Sequence, residues 1–189
     1  MSHSVQQLLE RGEDDPRLQF IAFFLVSQIG EYLENPVELS PVITILIEKC
    51  KSIKSLVRFG CYHCLGQLST DMAPKFQETY GEVVLPALIV GMKAPILRVN
   101  CHAVQATCNF LAHSTVEVIS NFVNPLMEAV MSQLSTPSVK LYKLLLVCTR
   151  TLASVKLINQ DYWPKRIRTV CKLFHTATDA KPSQNHQQL

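Results

Sequence analysis

The feature that most constrains the fold of this 189-residue chain is a pattern that recurs at intervals of roughly 40 residues. Four prolines stand near the start of apolar stretches, and their residue numbers differ by 45, 39 and 39: Pro41, Pro86, Pro125 and Pro164. Proline is tolerated in the first turn of an α-helix, where its missing N–H group costs no hydrogen bond. Each proline is therefore predicted to begin the first helix of a repeated unit.

A second marker follows three of these prolines. A basic residue opens another apolar stretch at Arg58, Arg98 and Lys140, whose residue numbers differ by 40 and 42. An earlier copy of this second stretch lies at 17–33. The unit is thus predicted to be a helix, a short turn and a second helix. A period near 40 is typical of HEAT or armadillo arrays, in which neighbouring units stack to bury their apolar faces.

The repeat predicts an all-α fold, a right-handed α-solenoid of about four HEAT-type helical hairpins. Residues 17–178 are expected to form one continuous array, with a flexible segment at 1–16 and a disordered polar tail at 179–189. The predicted elements are a lone second helix at 17–33, pairs at about 38–69, 80–112 and 118–155, and a lone first helix at 161–177. Because solenoids usually need polar capping units and none is evident, the sequence suggests a piece of a longer solenoid or an oligomer.

Composition fits a soluble, helix-rich protein, with 48% hydrophobic residues, 17% charged residues and only six glycines. The longest apolar run, 83–92, is far short of the roughly 20 residues that a membrane span needs. The first residues lack the pattern of a secretory signal, so the seven cysteines are expected to be reduced. This indicates a cytosolic or nuclear protein.

Cys61 and Cys64 flank His63 in a pattern that invites a metal or redox interpretation. At about 100° per residue both cysteines fall in one apolar stripe, whereas His63 lies on the far side of the same helix. The three side chains therefore cannot surround one tetrahedral ion, and no second CxxC or HxxxH completes a site. A buried structural pair of thiols is predicted.

No nucleotide-binding or hydrolase motif occurs, and Cys101 and Cys108 fall on one core-like face. His102 and His113 are interpreted as polar surface residues rather than as ligands. Neither catalytic, cofactor-binding nor metal-binding residues are predicted, and no cofactor is expected.

Binding is the function that remains, and the second helices of such arrays line the concave surface. Each second helix carries one polar stripe, although a merely solvated face is the alternative interpretation. The candidate binding residues are Arg58, Tyr62, Arg98, His102, Gln105, Asn109, Lys140, Lys143 and Arg150. Charge is uneven along the chain, with a net of −3 over 1–95 and +6 over 96–189. The basic segment 163–172 could contact nucleic acid or an acidic protein, or could be a solvated helix face.

The stretch 56–93 resembles a repeat of the importin beta (karyopherin beta) family, nearest to the importin-five branch. The shared features are Val57-Arg58, Gly66-Gln67, Thr70-Asp71, Ala73-Pro74 and Phe76-Gln77. The helices at 98–111 and 23–34 are also similar to family helices, and the resemblance runs in order over about 17–178. Its specific part is 56–80, and the matched segment resembles the middle of a receptor.

The resemblance implies a nuclear transport receptor that shuttles between cytoplasm and nucleus. Such receptors bind protein cargo, including basic ribosomal proteins and histones, and release it to the GTP form of Ran. They cross the pore through Phe-Gly nucleoporin repeats, and their mechanism is conformational rather than catalytic. Ran and the nucleoporins are expected as partners of a full-length parent, whereas membrane and nucleic acid are not expected as partners.

The sequence departs from the family pattern in three respects. The chain is far shorter than a full receptor, and the amino-terminal repeats that chiefly bind Ran would be missing. The turns before Arg58 and Arg98 lack the Asp of a HEAT ladder, and the predicted stripes are neutral to basic. No cargo-binding or Ran-binding residue is therefore carried over. A HEAT scaffold of another assembly, such as a phosphatase or chromatin complex, is the alternative function. A nucleic-acid binder acting through the basic half is a third.

Overall fold

The computed structural model describes residues 15–133 together with Leu144, Leu145 and Cys148. The chain divides into two compact units, Met1–Leu157 and Ile158–Leu189, and all the described residues belong to the first. Several sequence predictions lie outside the described residues: Lys140, Lys143, Arg150, the segments 1–14 and 179–189, the helix at 161–177 and the basic segment 163–172.

Seven α-helices follow one another between residues 15 and 133, and Leu144, Leu145 and Cys148 are also helical. The seven helices are α1 (Pro16–Ile29), α2 (Ser40–Lys49), α3 (Ser55–Asp71), α4 (Lys75–Met92), α5 (Leu97–Ala112), α6 (Val116–Ile119) and α7 (Val123–Gln133). Short 3-10 helices occupy Gly30–Tyr32, Pro36–Leu39 and Ser120–Phe122. No strand occurs among these residues, and the all-α prediction is confirmed. Within the same part of the chain, no helix is long and apolar enough to cross a bilayer.

The helix ends follow from local sequence. The carboxylate of Asp15 accepts a hydrogen bond of 2.8 Å from the Arg17 N–H group, and Pro16 occupies the first turn of α1. This is the usual chemistry of a helix start, since the side chain satisfies one of the free N–H groups. Between α2 and α3 the Arg58 guanidinium donates to the Ser52 carbonyl at 2.5 Å, which holds the turn closed.

The helices form two layers. The second helices α1, α3 and α5 pack side by side, and the first helices α2, α4 and α7 form the other layer. Within the described residues, α2 also packs on α3, and α4 packs on α5. The fully buried aromatic and aliphatic core includes Phe23, Leu46, Leu65, Phe76, Leu88 and Phe110. Each such side chain contributes about 1.5–3 kcal/mol through its removal from water.

The proline prediction is correct at two positions and wrong at a third. Pro41 lies in the first turn of α2, and Pro125 lies in the first turn of α7. Pro86, in contrast, lies inside α4, which begins at Lys75. The ring is exposed, so the carbonyl that loses its helical partner lies on the solvent side of the helix. The first helix of this unit therefore starts earlier than the predicted residue 80.

Two glycines permit close approach between helices. A Cβ atom on Gly66 would lie 3.1 Å from the Ala106 Cα atom, so α3 and α5 approach backbone to backbone. A Cβ atom on Gly91 would lie 2.6 Å from both the Cε1 and the hydroxyl oxygen of Tyr62. The Tyr62 ring therefore fills the space that a side chain at position 91 would take, and it connects α3 to α4.

Candidate protein-binding face

The exposed side of α1, α3 and α5 is the most distinctive surface in the described residues, and we call it the second-helix face. On α5, Arg98 and Gln105 are exposed, while His102 and Asn109 are half-buried. These residues recur every three or four positions, so they share one side of the helix. The four residues thus form one row of exposed and half-buried side chains, and their role in binding stays a prediction.

Aromatic rings and imidazoles connect the three helices across this face. His102 meets the Phe59 ring edge-on at 4.3 Å between ring centroids, and Phe59 stacks on Phe20 at 5.4 Å. The imidazole of His63 stacks on Phe24 at 5.5 Å and lies 6.3 Å from that of His102. We call Phe20, Phe24, Phe59, His63, Arg98 and His102 the aromatic–imidazole cluster. Aromatic pairs in these geometries contribute about 0.5–1.5 kcal/mol each beyond area burial.

Arg98 is the cationic member of the cluster. Its guanidinium carbon lies 4.0 Å from the centroid of the Phe59 ring. Such a cation–π contact holds the guanidinium plane while its N–H groups remain able to reach a partner. The face therefore presents an oriented cation beside exposed aromatic surface, because the Phe24 side chain is 43% exposed.

His63 is half-buried within this cluster, and burial lowers its pKa from the usual value. Its Nε2 atom is buried and has no hydrogen-bond partner. The neutral imidazole is therefore the favoured form at neutral pH, and it behaves as an aromatic ring that stacks on Phe24.

Side-chain amides close the carboxyl-terminal end of the face. Asn109 donates to the Gly66 carbonyl at 3.1 Å, and Gln105 donates to Asn109 Oδ1 at 2.9 Å. On α3, Gln67 donates to both carboxylate oxygens of Asp71 at 2.9 Å. These contacts orient the amides and fix α3 against α5. Asp71 is the only acidic residue of α3, so the acidic charge of this helix lies in its last turn.

Of the two residues predicted to lie on the accessible stripe of α3, Tyr62 does not. Tyr62 is only 1% exposed, and its hydroxyl donates to the Ala87 carbonyl at 3.3 Å, so its assignment to the binding surface is wrong. Arg58 is half-buried and is engaged by the Ser52 carbonyl at the turn. The physical reason is the register of the repeat, because it is Phe59, not Arg58, that contacts Arg98.

The sequence signal for the cluster was a constant interval of 39 in residue number. That interval separates Phe20 from Phe59 and Phe59 from Arg98. It also separates Phe24 from His63 and His63 from His102. The basic-residue alignment used an interval of 40 instead, and a shift of one position rotates a helix by about 100°. That rotation moved the predicted stripe of α3 from Phe59 and His63 to Arg58 and Tyr62.

The cysteines lie in the core as predicted. Cys61 and Cys64 are fully buried, and the six described cysteines form no disulfide with one another. Burial, reinforced by a hydrogen bond with the Cys50 thiol, raises the pKa of Cys61 well above its usual value. Burial likewise raises the pKa of Cys64. Raised values disfavour the reactive thiolate. No group of three His, Cys, Asp or Glu side chains within the described segments could hold a metal ion.

Stacked helical hairpins with an exposed row on their second helices define the class of HEAT-type solenoids, whose surfaces bind other proteins. The sequence is similar to importin subunit beta-3 of Saccharomyces cerevisiae, with 29% identity over 114 residues, which cover 59% of this chain and 10% of that protein. The resemblance to the importin beta family is thereby confirmed. No protein-family model matches the chain.

Solved structures agree on the fold. Kap121p bound to Ste12p matches with a TM-score of 0.79 and 22% identity over 95% of this chain and 18% of that one. Kap121p bound to the SUMO protease Ulp1p matches with a TM-score of 0.78 and 23% identity over 94% and 17%. The chain thus spans less than a fifth of each solved relative, and the solenoid prediction is confirmed.

Proposed function

We propose that this chain acts as part of a nuclear transport receptor and binds protein cargo on its second-helix face. The observation that carries the proposal is the 29% identity to importin subunit beta-3, combined with a HEAT-type fold. Kap121p has been solved in complex with Nup53p and with RanGTP. A receptor of this kind needs no covalent step, since its work is to bind and release partners.

The charges on the second-helix face limit which kinds of cargo can contact it. Arg98 and the imidazoles of His63 and His102 precede the last turns of α5 and α3, whereas Asp71 lies in the last turn of α3. Basic cargo, such as a ribosomal protein or a histone, favours acidic surfaces, so its contacts are expected outside this cluster. The proposal is accordingly for protein cargo in general.

The test is nuclear entry in permeabilised cells. The protein is fused to a fluorescent carrier too large for passive diffusion through the pore, because a 21.3 kDa chain alone would pass without a receptor's help. We expect the fusion, but not the carrier, to accumulate in nuclei and to be retained by Phe-Gly nucleoporin repeats in a pull-down.

Ran provides the second readout. The repeats that chiefly bind Ran in the resembled family are amino-terminal, so this chain alone is not expected to bind GTP-loaded Ran. A fusion that stays outside nuclei and ignores Phe-Gly repeats would refute the transport role. Stable association with one partner regardless of Ran nucleotide would instead favour the scaffold alternative.

A further inference from the structure

We infer that the aromatic–imidazole cluster binds an acidic peptide segment that carries an aromatic side chain. The inference rests on the proposed function only in treating the second-helix face as the docking surface. It goes further in specifying the chemistry of the partner, which is a segment with one or two carboxylates and one aromatic ring.

The first step of the argument is the unused capacity of Arg98. The side chain is exposed, and no carboxylate within the described chain lies within ion-pair distance of its guanidinium. The guanidinium carbon lies over the Phe59 ring, 4.0 Å from its centroid, and a cation–π contact leaves N–H groups available for hydrogen bonds. A planar fork of N–H donors fixed in this way matches a carboxylate in a bidentate geometry.

The second step is the apolar neighbour. The Phe24 ring is 43% exposed, stacks on His63 on one side and tilts against Phe20 at 6.4 Å. A partner's aromatic ring can therefore extend an existing stack at little entropic cost, since the rings that receive it are already ordered. The stacked row runs from α1 across α3 to the cation on α5. A short extended segment crossing the helices can therefore meet both the exposed ring and Arg98.

The third step distinguishes a peptide from a nucleic acid. Single-stranded nucleic acid also stacks on aromatic rings, but its affinity depends on a track of several cations along the phosphates. The described cluster offers one guanidinium, and Asp71 lies at the end of α3. One oriented cation beside aromatic surface suits one or two carboxylates better than a polyphosphate backbone.

The experiment measures fluorescence anisotropy of a labelled short peptide in which glutamates flank a single phenylalanine. The two competing probes are the same peptide with lysine in place of each glutamate, and a single-stranded RNA of similar length. We expect the acidic peptide to bind more tightly than both.

Variants test the geometry. Arg98→Glu is expected to weaken the acidic peptide about tenfold or more, and Phe24→Ala about threefold to tenfold. The matched control is Lys51→Glu, because Lys51 is exposed just beyond the end of α2, in the other helix layer, and its reversal changes net charge equally. The control should change affinity about threefold at most. Arg98→Lys keeps the charge but loses the planar set of guanidinium N–H donors, so an intermediate loss of affinity for the acidic peptide is expected. This variant keeps the test valid even if Arg98→Glu were to unfold the protein.

The inference is overturned if the lysine peptide or the RNA binds better than the acidic peptide, or if both reversals weaken binding equally. Circular dichroism on each variant separates these outcomes from misfolding. Nuclear entry without acidic-peptide binding would refute this inference and leave the transport proposal standing. Acidic-peptide binding without nuclear entry would refute the transport proposal and leave this inference standing.

Discussion

Gly91 is the position at which one added methyl group tests the contact between the two helix layers. In Gly91→Ala the new Cβ atom would lie 2.6 Å from two atoms of the Tyr62 side chain, whereas carbon atoms normally approach to about 3.5–4.0 Å. The ring cannot move freely, because Tyr62 is 1% exposed and donates to the Ala87 carbonyl. Either the ring or α4 must shift by about 1 Å.

Two effects of opposite sign decide the outcome. Overpacking of a filled core costs about 1–3 kcal/mol. Alanine is preferred to glycine within a helix by up to about 1 kcal/mol, and less near the end of α4, where Gly91 lies. The steric term is larger, so the variant is expected to lose about 1–2 kcal/mol of unfolding free energy. For a chain of this size that corresponds to a fall in Tm of about 2–8 °C.

The assay is thermal and urea unfolding followed by far-ultraviolet circular dichroism, repeated in a Tyr62→Leu background. Removing the ring makes room, so Gly91→Ala should then be neutral or slightly stabilising. A double-mutant cycle isolates the interaction between the two positions. If Gly91→Ala raised Tm with Tyr62 present, helix propensity would outweigh packing, and the ring would not occupy the space described.

Three further predictions follow from buried polar groups and thiols. Asn100 is 2% exposed and donates to the Met92 carbonyl at 2.6 Å. Asn100→Ala leaves that carbonyl unpaired, so it should lower the unfolding free energy measured with urea by about 1–3 kcal/mol. An unchanged urea midpoint would contradict this prediction. Cys61 and Cys64 should resist maleimide labelling in the native protein but react in concentrated guanidinium, as followed by mass spectrometry; rapid native labelling would show that they are accessible. The pKa of His63 is lower in the folded than in the unfolded chain, so the unfolding free energy should fall as pH drops below the unfolded value near 6.5. His63→Phe should flatten that part of the plot of stability against pH. A slope unchanged by the substitution would show that other groups cause it.

The period of the sequence was sufficient to predict the helical hairpins, since apolar stretches of helical length recur with it. The pair observed as α2 and α3, from Ser40 to Asp71, begins and ends close to the predicted 38–69. The burial of Cys61 and Cys64 also followed from helical phase alone. These features are local, so one chain is enough to predict them.

The binding face was harder to predict because it depends on how neighbouring helices align. Arg58 and Arg98 look equivalent in sequence, yet Phe59 is the residue that contacts Arg98. Pro86 was misleading for a related reason. A proline is compatible with a helix start and, when the freed carbonyl faces solvent, also with a helix interior. Local sequence does not distinguish the two, whereas the packing of α4 on its neighbours does.

The equal spacing of Phe20, Phe59 and Arg98 along the chain has a consequence for engineering shorter arrays. Excising 59–97 would join Arg58 directly to Arg98 and place Arg98 in the sequence position of Phe59, next to Phe20. The shortened chain should keep the phase of its second helices and unfold cooperatively with one hairpin fewer. Excising one residue more or one residue less would rotate the joined helix by about 100° relative to the turn before it. The array can therefore be shortened only in whole units of its own period.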